Sequence, residues 1–201
     1  MKNIERYFKL ANETEIENGL NWYSNSHNCI SEIADIYGIE HEIAYAVTSA
    51  LSPRCTWENN LKDLERVLQW HTSFNKKSYL PSVTTYKGNV RKAINILQSK
   101  NTNVFRTPKT FNFFHNLLNP KSNEYITIDG HSINVYYGRV GMVKNKHFTK
   151  KYYNRIATAY RRVAQKYNML PCQMQAITWL AFKRTHNIRV NWRYYQENLP
   201  F

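Results

Sequence analysis

The chain has 201 residues, with 28 Lys+Arg against 14 Asp+Glu and a formal charge of +14 at pH 7. That length buries a sizeable core without crosslinks, and cations spread along the chain make nucleic acid the leading partner, ahead of an anionic membrane surface or an acidic protein. No long apolar run or leader-like stretch occurs, which points to the cytoplasm. Cys29, Cys55 and Cys172 lack a Cys-x-x-Cys pair, so a four-thiolate zinc site or an all-cysteine iron–sulfur cluster is excluded; no metal or cofactor is expected, and the cysteines read as buried free thiols.

Helical periodicity dominates and alternating strand patterns are missing, so the expected fold is all-α. From Glu15 to Tyr37, Ile16, Leu20, Tyr23, Ile30, Ile33, Ala34 and Tyr37 recur at helical spacing and Gly38 supplies a stop; this is one long helix with room for a break near Asn25. His41 to Leu51 is apolar nearly all round, which predicts a central core helix, and Pro53 disfavours helical geometry at Ser52. Asn60 to Trp70 is the third helix, Thr72 to Thr85 a loop, and Lys87 to Gln98 the fourth helix. Thr107 to Leu118 is the fifth, with Thr107 as N-cap and Pro108 at the favoured first position. Ile128 and Asp129 lead into the sixth, after which 142–151 forms a basic loop. Lys150 to Tyr167 sets Tyr153, Ile156, Tyr160, Val163 and Tyr167 on one face and Arg155, Arg161, Arg162 and Lys166 on another; a last helix runs from Pro171 to about Thr185.

Two residues carry candidate chemistry. Lys109 falls in the first turn of its helix, where unpaired amides and the positive end of the dipole favour a free, nucleophilic amine; the same position also suits a phosphate contact. Asp129, between an apolar stretch and Gly130-His131, is an N-cap or a carboxylate facing a cleft. The two are joined by one helix and one turn. Departure of a base from a nucleoside leaves positive charge on the sugar, which an aspartate stabilises and a lysine can capture as a Schiff base.

Pro108-Lys109-Thr110-Phe111 and Ile128-Asp129-Gly130-His131 resemble, in order and separation, the Lys-Thr-Ala and Val-Asp-Thr-His segments of the helix-hairpin-helix DNA glycosylases, the superfamily of endonuclease III. Ala50-Leu51-Ser52-Pro53-Arg54-Cys55-Thr56-Trp57 is similar to that family's Leu-Leu-Ser-x-Gln-x-Thr segment, and Tyr86 to Ile96 to its Gly-Leu-Tyr-Asn-x-Lys-Ala helix. The likeness runs from about Ile43 to Val135. It departs at the hairpin, where Asn103 to Pro108 replace the usual glycines, and Arg54 stands where glutamine is common.

The resemblance implies a two-lobed helical fold, with a central lobe from about residue 39 to 125 and a second lobe from 1–38 plus 126–201, the active site lying in the cleft between them. It implies a monomer, DNA-associated in a bacterial cell or a phage-infected host, that flips a damaged or modified base out of double-stranded DNA and cuts its N-glycosidic bond, with or without a lyase step. Asp129 and Lys109 are then catalytic, while Ser52, Arg54, Thr56, Trp57, Arg106, Thr107, Thr110, His131, Lys144 and Lys146 contact DNA. The six other histidines show no metal-ligand spacing. Two rivals share the charge: a non-catalytic DNA-binding protein of a phage or mobile element, and a basic structural protein of a larger assembly. The base removed stays open.

Overall fold

In a computed structural model, residues 1–73, 80–142 and 149–188 are described, and among them the chain is all-α, with nine helices and no strand. They are α1 (Lys2–Leu10), α2 (Glu13–Ile36), α3 (His41–Leu51), α4 (Trp57–Thr72), α5 (Lys87–Ser99), α6 (Pro108–Leu118), α7 (Gly130–Tyr137), α8 (Lys150–Lys166) and α9 (Pro171–Thr185). No helix of the described residues is long and apolar enough to cross a membrane. The chain divides into two compact units, one holding Ser26–Leu118 and the other Met1–Asn25 with the described residues from Asn119 on. The boundaries expected at 38/39 and 125/126 fall instead inside α2 and at the end of α6.

In the unit Ser26–Leu118, α3 is the centre because its pattern leaves it no polar face: every residue from Ile43 to Leu51 is buried. α4, α5 and α6 pack on it through Leu61, Leu64, Leu68, Ile96 and Leu117. Polar ties fix their register. The Ser49 hydroxyl of α3 donates to the Thr110 carbonyl of α6 at 2.7 Å, and His27 of α2 meets the Leu117 carbonyl at 2.8 Å. α4 starts three residues before the predicted Asn60, because the Thr56 side chain accepts the Asn59 amide and caps a turn that apolar spacing does not mark.

In the other unit α9 is the centre, buried from Pro171 to Phe182 except at Gln173 and Trp179. Around it Ile4 and Tyr7 of α1, Ile133 and Val135 of α7 and Tyr153, Ile156, Tyr160 and Val163 of α8 form one apolar cluster. α1 was not among the predicted helices. Its apolar side is Ile4, Tyr7 and Phe8 at steps of three and four, a short stripe that the sequence reading passed over. It is held by tertiary bonds: Asn3 Nδ2 donates to the Tyr136 carbonyl at 3.1 Å and the Tyr7 hydroxyl to the Gly138 carbonyl at 3.4 Å, at the end of α7 where Gly138 takes a left-handed φ of 73°.

α2 runs unbroken through Asn25, whose exposed side chain puts no demand on the helix. Asn12 and Glu15 open it with reciprocal bonds, Asn12 N to Glu15 Oε2 at 3.0 Å and Glu15 N to Asn12 Oδ1 at 2.9 Å. Glu15 is buried, and Arg184 of α9 donates to both its oxygens, at 2.8 and 3.1 Å, and to the Leu10 carbonyl at 2.6 Å. The fork therefore compensates a carboxylate that would be costly alone.

Gly19 of α2 lies against the α9 backbone: a Cβ there would sit 2.7 Å from the Ile177 Cα and N and 2.4 Å from its Cγ1. Glycine to alanine inside a helix ordinarily stabilises by about 1 kcal/mol. Here the sign should reverse, with Gly19→Ala losing about 2 kcal/mol in urea denaturation because backbone cannot yield as a side-chain tip can.

Glu5 links α1 to α8, taking bonds of 2.7 Å from both Lys166 Nζ and the Tyr167 hydroxyl, which hold its carboxyl down at about 2 from an ordinary 4.5. A carboxyl depressed on folding gives its full stabilisation above pH 4.5 and loses it as pH falls toward 2. The melting-temperature gap between the wild type and Glu5→Gln should be widest at neutral pH and shrink below pH 4.5; a gap indifferent to pH would refute the tie.

Candidate functional site

The residues singled out by sequence fall in both units. Lys109 and most of the DNA-contact candidates lie in Ser26–Leu118, and Asp129 and His131 in the other unit. Lys144 and Lys146 lie outside the described residues.

Around Lys109, α6 begins with Pro108 at its first position and Thr107 just before it. The Thr107 carbonyl accepts the Phe111 amide at 3.1 Å, and its hydroxyl bonds the Thr110 hydroxyl at 2.7 Å. Lys109 is half-buried in that first turn, and among the described residues its ammonium group has neither a hydrogen bond nor an ion pair. Arg106 is exposed one residue before Thr107.

The turn after α3 is brought to the start of α6. Thr110 is buried with its carbonyl on Ser49, and Trp57 at the start of α4 meets Phe113 edge-on at 6.5 Å. Ser52 closes α3 by donating to the Ser49 carbonyl at 3.0 Å, and Thr56 caps α4. Between them Arg54 is exposed with a φ of 59°, a left-handed conformation disfavoured for a side chain of this kind, and its guanidinium stands over the Tyr86 ring at 5.5 Å.

What holds that turn is a residue the sequence reading passed over. Asp63 of α4 is sealed from solvent and accepts from the Thr84 amide at 2.9 Å, the Thr84 hydroxyl at 2.5 Å and Arg66 at 3.2 Å. The Cys55 thiol approaches both the Thr84 hydroxyl (3.0 Å) and Asp63 (3.8 Å), and the Thr85 hydroxyl donates to the Pro53 carbonyl at 2.9 Å. Its sign was available: Asp63 occupies an apolar-face position of α4 beside Asn60, Leu64 and Val67.

Asp129 is positioned by the segment before it. Ile126 and Ile128 are buried, and the Tyr153 hydroxyl of α8 donates to the Ile126 carbonyl at 2.7 Å while accepting the Ile128 amide at 3.0 Å. The chain then turns into α7 with Asp129 as N-cap. Its Oδ1 takes the Ser132 amide at 2.7 Å and the Ser132 hydroxyl at 2.8 Å, and its own amide reaches back to that hydroxyl at 3.3 Å. Oδ2 has no hydrogen bond and the carboxylate no ion pair among the described residues, and the side chain is half-exposed. Both expected roles, capping and presenting a carboxylate, are compatible with this geometry.

Ser132 extends the arrangement. Gln175 of α9 donates to its hydroxyl at 3.4 Å, Tyr23 of α2 donates to Gln175 Oε1 at 3.1 Å, and the Tyr160 hydroxyl of α8 donates to the Ser132 carbonyl at 3.3 Å. Burial pushes the Tyr160 phenol up, and the charge of Asp129 adds to the same direction. Half-exposed aromatics lie alongside: His131 and Trp22 each meet Trp179 edge-on, at 6.4 and 6.3 Å, and Lys183 Nζ stands 4.3 Å from the Trp179 ring centre.

Of the three cysteines only Cys172 is buried; Cys29 and Cys55 are half-buried. Burial pushes Cys29 and Cys172 up to about 11 and raises Cys55 as well, so all three are poor nucleophiles near neutrality.

No curated protein and no solved structure matches the chain. A family model does, over residues 1–186, and the chain belongs to that family, a family of unknown function (DUF7178).

Proposed function

We propose that the protein is a DNA glycosylase that extrudes a damaged or modified nucleotide from duplex DNA and cleaves its N-glycosidic bond. The observation that carries the reading is the condition of Asp129. One carboxylate oxygen is clamped by Ser132, which fixes the orientation, while the other has no hydrogen bond among the described residues, and the group stands where the likeness to Val-Asp-Thr-His assigns the catalytic aspartate. A charge held that way stabilises a developing cation without reorganising. Lys109, in the first turn of α6 and without an ion pair among the described residues, has the matching assignment.

In this mechanism the nucleotide leaves the stack because its C1′ is unreachable inside the duplex. The C1′–N bond breaks with its electron pair going to the base, which takes up a proton, and the sugar acquires oxocarbenium character opposite Asp129. Water, or Lys109 Nζ, supplies the electron pair for the new bond to C1′. On the lysine route the amine gives up a proton and the ring opens to a Schiff base. The Arg54 turn, Arg106, the start of α6 and His131 serve binding. One observation favours a non-catalytic reading: Asp129 is a complete N-cap, and capping alone would account for its position.

Duplexes carrying one altered nucleotide each, treated with hot alkali, separate the two. Scission on at least one substrate, slowed about 100-fold or more by Asp129→Asn, supports the enzyme. Asparagine caps a helix about as well as aspartate, so this variant should fold. Tight binding with every glycosidic bond intact would leave a DNA-binding protein instead.

The route is then read by borohydride. A trapped protein–DNA adduct that disappears in Lys109→Gln identifies lysine as the attacking group, and its absence from an active enzyme identifies water.

A further inference from the structure

α8 carries six cations, Lys150, Lys151, Arg155, Arg161, Arg162 and Lys166, and no Asp or Glu. Its apolar side, from Tyr153 through Tyr160 to Val163, is buried in the core of its unit. On the opposite side Lys151, Arg155, Thr158 and Arg162 are all exposed, at steps of four, three and four residues that keep them on one stripe. The stripe extends about 16 Å at roughly 1.5 Å per residue.

Two of the six cations are accounted for. Lys166 is held by Glu5, and Arg161 donates to the Glu124 carbonyl at 2.7 Å. Lys151, Arg155 and Arg162 form no ion pair among the described residues. The arrangement also works against the helix: Lys150 and Lys151 stand in the first turn, at the positive end of the dipole, and Lys151 and Arg155 are like charges one turn apart. Among the described residues nothing relieves that repulsion. A row of anions would.

We propose that the exposed stripe Lys151–Arg155–Arg162 of α8 is a phosphate-contact surface for duplex DNA, separate from the residues around Lys109 and Asp129. The proposal rests on the reading of duplex DNA as the partner and adds a second contact to it. A duplex presents about one charge per 1.7 Å of its axis, so a stripe of this length meets several phosphates, and Thr158 adds a neutral hydroxyl in the middle. A bilayer surface is the weaker match, since a helix that lies on lipid needs an apolar face to insert and that of α8 is already in the core.

The test compares wild type, the triple variant K151Q/R155Q/R162Q, and a control, K2Q/R6Q/K62Q, that removes the same charge elsewhere. Binding to an unmodified duplex is titrated between 50 and 200 mM salt, with phosphatidylserine vesicles as a second ligand. In the triple variant the slope of log affinity against log salt should fall by about 2 to 3, with roughly 100-fold weaker binding near 0.1 M, while the control changes far less. Free of DNA, the triple variant should melt at a higher temperature than wild type, because the repulsion within α8 is gone; this shows that it is folded. An unchanged slope, an equal fall in the control, or a loss confined to vesicle binding overturns the proposal while leaving the glycosylase reading in place. Absence of duplex binding by wild type overturns both.

Discussion

Ser132 is where the unit built on α9 is tied together. It is sealed from solvent, and its backbone and hydroxyl reach Asp129 at the start of its own helix, Tyr160 on α8 and Gln175 on α9, with Tyr23 of α2 one bond further on. Buried polar groups without partners are expensive, so each bond restrains the element that provides it. Asp129 thereby inherits the rigidity of four helices rather than of one N-terminus. On the approach side, the Tyr153 hydroxyl bonded to both Ile126 and Ile128 removes the remaining freedom of the chain before the cap.

The acids are placed unlike the bases. Glu15 and Asp63 are buried and hold chain segments, Glu5 joins α1 to α8, and Glu40 pairs with Lys100. Glu15 and Asp63 thus act as internal fasteners, while the other described acids lie at least partly at the surface and are too few to balance the exposed cations. Such a surface lowers the stability of the free protein by self-repulsion and is relieved by binding a polyanion.

Elements were legible wherever a helix buries one continuous face. α3 and α9 begin and end as the apolar pattern and the flanking Pro53 and Pro171 indicate, and α5 and α8 differ from expectation by one residue at their ends. α1 is short but periodic, with Ile4, Tyr7 and Phe8 on one face, and the sequence reading passed over it; what the sequence does not show is that Asn3 and Tyr7 secure it to the end of α7, more than 130 positions away. Lys109 and Asp129 could be picked out because a helix start is a local event marked by Pro108 and by Gly130. The groups that hold them could not: Asp63 reaches Thr84, and Ser132 reaches Gln175, across stretches of chain in which no spacing rule applies. Motif residues are visible in one dimension, whereas their supports are made by packing.

Whether Asp129 is more than a cap turns on what only a carboxylate contributes. Capping needs one acceptor oxygen, and serine, threonine or asparagine supplies it at a stability within about 1 kcal/mol of aspartate. The capping box here uses Oδ1 alone, so the second oxygen is surplus to it, and the negative charge adds to helix initiation only about 0.3 to 1 kcal/mol through the dipole. A fixed charge beside a developing cation, by contrast, is worth about 3 to 4 kcal/mol in the transition state, several times the difference among good caps. No lysine or arginine neutralises that charge among the described residues, and it adds to the upward push on the buried phenol of Tyr160. A carboxylate oriented through one oxygen and left open at the other suits stabilisation of a sugar cation, a gain several times larger than the one its charge brings to the cap.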